Sequence, residues 1–121
     1  MKLALGFLGI LMLAATLRVG AGERMTLKVS PAVAFAPANL IVRTMIEADA
    51  DNRAIAIVAE SDDFYRSSEV QLDGDHAPRT NTFEFRSLPP GTYQVKAVLI
   101  GTDSEPRATA RQQINVMAGS R

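Results

Sequence analysis

The chain has 121 residues, 13 basic and 13 acidic, with no cysteine, no tryptophan and a single histidine. This composition excludes disulfide staples, cysteine chemistry and a lipid-modified cysteine anchor. No basic patch stands out to attract nucleic acid or an anionic membrane surface.

Met1-Lys2 supply a short positive start, and Leu3 to Leu17 form an apolar run without charge. Val19 and Ala21 then stand at the small-any-small spacing of a signal-peptidase site. This is the three-part layout of a secretory signal peptide, read here as residues 1–21, with Gly20 and Gly22 as neighbouring cut points. An uncleaved anchor is the alternative, but a spanning helix needs about 20 apolar residues, and Arg18 closes this run early. Lys2 and Arg18 leave with the signal, so 11 basic residues face 13 acidic ones, a net charge of −2. The expected mature chain is exported, periplasmic or secreted, without stable membrane insertion. Its remaining length of about 100 residues fits one domain.

Residues 22–38 read as an extended N-terminal segment. Thr26-Leu27-Lys28-Val29-Ser30 alternates polar and apolar and stops at Pro31, as edge strands do, and Val33 and Phe35 continue an extended path to Pro37. The core of the domain is expected over 39–116. Leu40, Val42, Ile46 and Ala48 share one parity, Asp49-Ala50-Asp51-Asn52 is turn chemistry, and Arg53 to Glu60 places Ile55 and Ile57 on one face. The two segments are expected to pair as an antiparallel hairpin. A helix over Leu40 to Ala59 is the rival, opposed by its Val, Ile and Thr and by the acidic turn in the middle.

Val70 and Leu72 share a parity before Asp73-Gly74-Asp75 turns the chain. Thr82-Phe83-Glu84-Phe85-Arg86 alternates, Gly91 to Ile100 is the strongest strand, and Ala108 to Val116 closes the set. Residues 117–121 read as a flexible tail. Seven short strands with a turn signal roughly every ten residues predict an all-β antiparallel sandwich.

Between the fifth and sixth strands lies Leu88-Pro89-Pro90-Gly91-Thr92-Tyr93-Gln94-Val95. It resembles the E–F corner of bacterial immunoglobulin-like and fibronectin type III-like domains, and similar turns occur in carboxypeptidase-regulatory-like and collagen-adhesin B-type domains. The resemblance implies a seven-stranded immunoglobulin-like sandwich in which Leu88, Gly91 and Tyr93 build a structural corner, the tyrosine bonding back to upstream backbone. There is no inter-sheet cysteine pair and no strand-C tryptophan, which separates the chain from antibody-type domains.

Catalytic chemistry finds few residues to use. His76, beside Asp73 and Asp75 and with Ser67 as the nearest candidate nucleophile, lacks any Gly-x-Ser-x-Gly elbow or ordering partner. No catalytic residue is assigned, and the chain is expected not to be an enzyme. Asp49, Asp51 and Asn52, Asp62-Asp63, and Asp73 with Asp75 are oxygen-rich turns, yet none completes a calcium loop with a distal glutamate, and no metal ligand or cofactor is assigned. Lys28, Glu84 and Asn115 have the chain order of an isopeptide-forming triad, but their parity points all three outward, away from any dry reaction site. Phe64-Tyr65 is the one aromatic pair placed to bind a carbohydrate, and it reads more readily as a loop folded over the sandwich edge, because a small core needs its aromatics.

Apolar residues on the outward parity give a stronger hint. Ala54, Ala56 and Val58 on the expected strand C, and Val98 and Ile100 on strand F, belong side by side on one sheet face. Either this face meets a protein partner, or the N-terminal segment or a local bulge covers or re-phases it. The expected function is an exported, non-catalytic module for protein interaction or cell-envelope structure. The alternative is a small ligand-binding module, for calcium or carbohydrate, using the acidic loops or Phe64-Tyr65.

Overall fold

The computed structural model describes residues 24–119; the expected signal peptide lies outside the described residues. Eight strands are present: β1 Met25–Ser30, β2 Val33–Phe35, β3 Ala38–Ile46, β4 Asn52–Glu60, β5 Tyr65–Gln71, β6 Thr80–Leu88, β7 Gly91–Gly101 and β8 Pro106–Met117. They form two sheets, one of order β1-β3-β6 and one of order β2-β8-β7-β4-β5. This is the expected all-β immunoglobulin-like sandwich, with β4, β7 and β8 in the positions of strands C, F and G. The eighth strand, β2, is an addition to the seven expected. It runs parallel to β8, with Val33 opposite Asn115 and Phe35 opposite Met117. Pro31 and Pro37 bracket it, and neither has an N–H with which to continue a ladder.

The expected hairpin of Leu40–Ala48 with Arg53–Glu60 does not form. β3 is flanked by β1 and β6, and β4 by β5 and β7, so neither has a free edge for the other. Asp49 to Asn52 instead carry the chain from one sheet to the other. Leu40, Val42 and Ile46 of β3 then meet Ile55 and Ile57 of β4 as opposing layers of one core, all buried.

The core follows the period-two pattern. On β7, Tyr93, Val95, Ala97 and Leu99 are buried, and on β8 Ile114 and Val116 face the same layer. Full burial of each Leu, Ile or Val stabilises by about 1.5–3 kcal/mol, and with no cysteine in the chain packing replaces the covalent staple. At the margin of the small sheet, β1 lies against β8, where the Gln112 carboxamide bonds the backbone of Val29.

The corner is present. The Tyr93 ring is fully buried, and its hydroxyl donates to the Pro89 carbonyl at 2.7 Å. Leu88 is buried in the same core. Gly91 has φ 157°, and a Cβ there would press on the Ser61 side chain at 3.2 Å. Just upstream, Ser87 adopts φ 60°, and its N–H donates to Asn39 Oδ1 at 3.0 Å, beside a register shift between Ala38 and Leu40.

Candidate functional site: the outer face of the five-stranded sheet

The acidic turns do not converge on open space. Asp51 N–H donates to Asp49 Oδ1 at 2.8 Å, the local bond that shapes the turn. Arg107, only 14% exposed, then reaches in from β8: its Nη2 lies 3.0 Å from Asp49 Oδ2 and its Nε 3.5 Å from Asp51 Oδ2. Its Nη1 donates to Asn52 Oδ1 at 2.5 Å. Asn52 is fully buried, and its Nδ2 donates to the Glu47 carbonyl at 2.9 Å. Thr102 closes the group through Oγ1 and its N–H, both donating to Asp51 Oδ1. The Asp49 carboxyl is held below its ordinary value by the Asp51 N–H and then by Arg107. Asp51 is held down by the Thr102 hydroxyl and N–H, with Arg107 adding to the effect. A guanidinium therefore stands where the calcium reading of Asp49, Asp51 and Asn52 needs a cation.

Elsewhere, His76 lies 3.4 Å from Asp75, both well exposed. Among the described residues, no three His, Cys, Asp or Glu side chains are grouped to hold a metal ion. Lys28 and Glu84 are exposed on the small sheet. Asn115, on β8 of the other sheet, accepts a hydrogen bond from Thr92 Oγ1 at 3.2 Å, so the three isopeptide candidates are not assembled.

Phe64 and Tyr65 are separated in role. Phe64 is half-buried, packed edge-on against Tyr93 at 6.2 Å between centroids. The Arg66 guanidinium covers it at 5.1 Å. It belongs to the corner, and the expected aromatic pair is not a shared platform. Tyr65 alone is open, 61% exposed, and stands opposite Glu60 at the start of β5.

The outward apolar residues are brought together as expected of C and F neighbours. β4 and β7 pair antiparallel with Ala56 opposite Val98, Ala54 opposite Ile100 and Val58 opposite Lys96. Ala56, Val58, Val98 and Ile100 are each half-buried. The alternation holds from Ala56 to Val58 and along β7, where Ala97 and Leu99 are buried on the other side. Register shifts lie between Asn52 and Ala54 and between Leu99 and Ile100, and Ala54, expected to face outward, is buried. β2 does not cross this face; it extends the sheet at the β8 edge. Next to the apolar block, Val58, Glu60, Tyr65, Gln94, Lys96 and Arg111 line an open depression of about 280 Å³. Sequence reasoning passed over Lys96 and Arg111. Their outward parity is legible, but that they face each other depends on the β7–β8 register.

No family model matches the chain, and no curated protein matches its sequence. Solved structures do resemble it. Two variants of superoxide reductase (neelaredoxin) from Ignicoccus hospitalis superpose with TM-scores of 0.61 and 0.64, each at 15% identity. They cover 76% and 83% of this chain and 78% and 85% of theirs. CopC from Methylosinus trichosporium OB3b matches with TM-score 0.53 at 17% identity, over 80% of this chain and 97% of that one. At such identities the likeness establishes a shared β-sandwich. It also corrects the expectation that the chain is not an enzyme. Superoxide reductase is an enzyme on this sandwich, so neither the fold nor the want of a familiar motif excludes catalysis. Among the described residues, no helix is long and apolar enough to cross a membrane.

Proposed function

We propose that the chain is an exported β-sandwich module that binds a protein partner through the outer face of β4 and β7. The observation that carries this reading is the Ala56–Val98 pairing, which sets Ala56, Val58, Val98 and Ile100 in one block on a face that no other strand covers. Grouped apolar side chains on a sheet face, bordered by polar ones, are the usual form of an interaction surface. Export rests on Lys2, the apolar run Leu3 to Leu17 and the Val19–Ala21 spacing. A mature N-terminus at or within a residue or two of Gly22, read by mass spectrometry of the exported protein, is the expected result.

The partner surface is tested with a photoreactive residue placed at Val98 and, separately, at Arg43 on the outer face of the small sheet, in the cells that export the protein. The expected result is a discrete adduct from position 98 alone, lost on Ile100→Lys. Equal adducts from both positions, or none from 98, overturn the reading. Val98→Lys is expected to melt close to the wild type; gross unfolding would assign Val98 to the core instead.

A further inference from the structure

The depression beside the apolar block has a chemistry of its own. Its lining comes from four strands: Val58 and Glu60 from β4, Tyr65 from β5, Gln94 and Lys96 from β7 and Arg111 from β8. The register sets them in two rows, Tyr65–Glu60–Gln94 and Val58–Lys96–Arg111. Lys96 and Arg111 are thus direct cross-strand partners, an arrangement in which like charges oppose pairing. Among the described residues neither takes part in an ion pair, whereas Arg86 and Arg107 each have a carboxylate. Lys28 and Arg43 also face each other, between β1 and β3; these two and Arg111 are exposed. Lys96 is half-buried and shares its depression with an open tyrosine ring.

We propose that this depression binds a carboxylated sugar of the uronic acid class. Lys96 and Arg111 take the carboxylate, the guanidinium offering it two parallel N–H donors. The Tyr65 ring covers the apolar C–H face of the sugar. Glu60 and Gln94 accept and donate to its hydroxyls. Glu60 decides between anions: it repels a ligand that is negative throughout and matches one that carries hydroxyl donors beside a single carboxylate. The site shares Val58 with the proposed partner face, but Val98 and Ile100 lie outside it and Lys96 and Arg111 outside the apolar block, so separate variants test the two readings.

The purified protein is titrated by calorimetry with trigalacturonate, with the neutral galactose trimer, and with a short Asp/Glu peptide. The expected result is binding of the uronate alone, weakened by added salt. In Lys96→Gln and in Arg111→Gln the affinity is expected to fall about tenfold or more, one lost charge-assisted contact in each, with the melting temperature unchanged. Tyr65→Ala is expected to weaken it as well, and Val98→Lys to leave it intact. No binding of the uronate, equal binding of the neutral trimer, peptide binding as tight as the uronate's, or indifference to the Lys96 and Arg111 variants each overturns the proposal.

Discussion

Gln112 makes with Val29 the two hydrogen bonds that a neighbouring strand would make. The Val29 N–H donates to Gln112 Oε1 at 2.9 Å, and Gln112 Nε2 donates to the Val29 carbonyl at 3.0 Å. One carboxamide from β8 thereby caps the outer edge of β1 and ties the two sheets across 83 residues of chain. An unpaired edge is otherwise a template for association with another chain.

Gln112→Leu leaves both Val29 backbone groups without partners in a nearly closed site. Unsatisfied buried donors and acceptors cost about 1–3 kcal/mol each, so a loss of at least about 2 kcal/mol is expected. In a domain of this size that lowers the melting temperature by roughly 10 °C. Hydrogen exchange at the Val29 amide should accelerate in parallel. A variant that melts with the wild type would show that the β1 edge is closed by other means.

Tyr93→Phe removes the bond to Pro89 and is expected to cost about 1 kcal/mol. Burial pushes the Tyr93 phenol above its ordinary 10.0. The folded state therefore holds this proton more tightly than the unfolded chain. The resulting stability is complete below the unfolded value and is lost as the pH rises through the folded one. Thermal melts from pH 8 upward should show the gap between wild type and Tyr93→Phe narrowing above about pH 10. A constant gap would mean that the hydroxyl does not titrate with unfolding.

Asp49 and Asp51 act at the other end of the scale. Both carboxyls are held below the ordinary 3.8, so the unfolded chain takes up protons first on acidification. Their stabilising contribution is present above about pH 5 and is lost as the pH falls through the folded values. Asp49→Asn is expected to melt below the wild type at neutral pH and to lose less on going to pH 3. Parallel curves for the two proteins would sink the assignment of Arg107 as their shared counter-ion.

Gly74 and Ser87 form a matched pair. Gly74 has φ 55°, and a Cβ there would sit 3.0 Å from the Ala50 carbonyl oxygen. Gly74→Ala is expected to cost roughly 1–2 kcal/mol, the price of a left-handed conformation for an L side chain. Ser87 already occupies that region at φ 60°, and Ser87→Gly should leave stability unchanged or slightly raised. Denaturant midpoints for both variants test the contrast, which disappears if either backbone relaxes.

Local signals carried most of the fold into the sequence. Alternation located most of the strands because each buries one face against a common core, whereas β5 is exposed along almost its whole length and signalled itself only near Val70. The corner was legible because Pro89 and Tyr93 are four residues apart. The partition into sheets was not. An Asp/Asn-rich turn looks the same whether it closes a hairpin or crosses between layers, and only the filled edges of β3 and β4 decide for the crossing. Arg107 lies 58 residues from Asp49, so the ion that cancels the acidic turn has no local signature. Phe64 could be read either as exposed or as folded over the core, because its partner Tyr93 is distant in sequence. The candidate site was half legible: parity identified Ala56, Val58, Val98 and Ile100, while the cross-strand pairing of Lys96 with Arg111 needed the register of β7 on β8.

β8 also sets when the molecule can close. It follows the other seven described strands in the chain, yet it supplies the ladder for β2 and β7, the carboxamide for β1 and the guanidinium for the turn after β3. During synthesis the earliest strands have no complete set of neighbours until residue 117 has emerged. Long-range pairing of this kind delays folding. The sandwich therefore closes from its C-terminal end: until residues 106–117 are in place, β2 has no ladder and the acidic turn after β3 has no counter-ion.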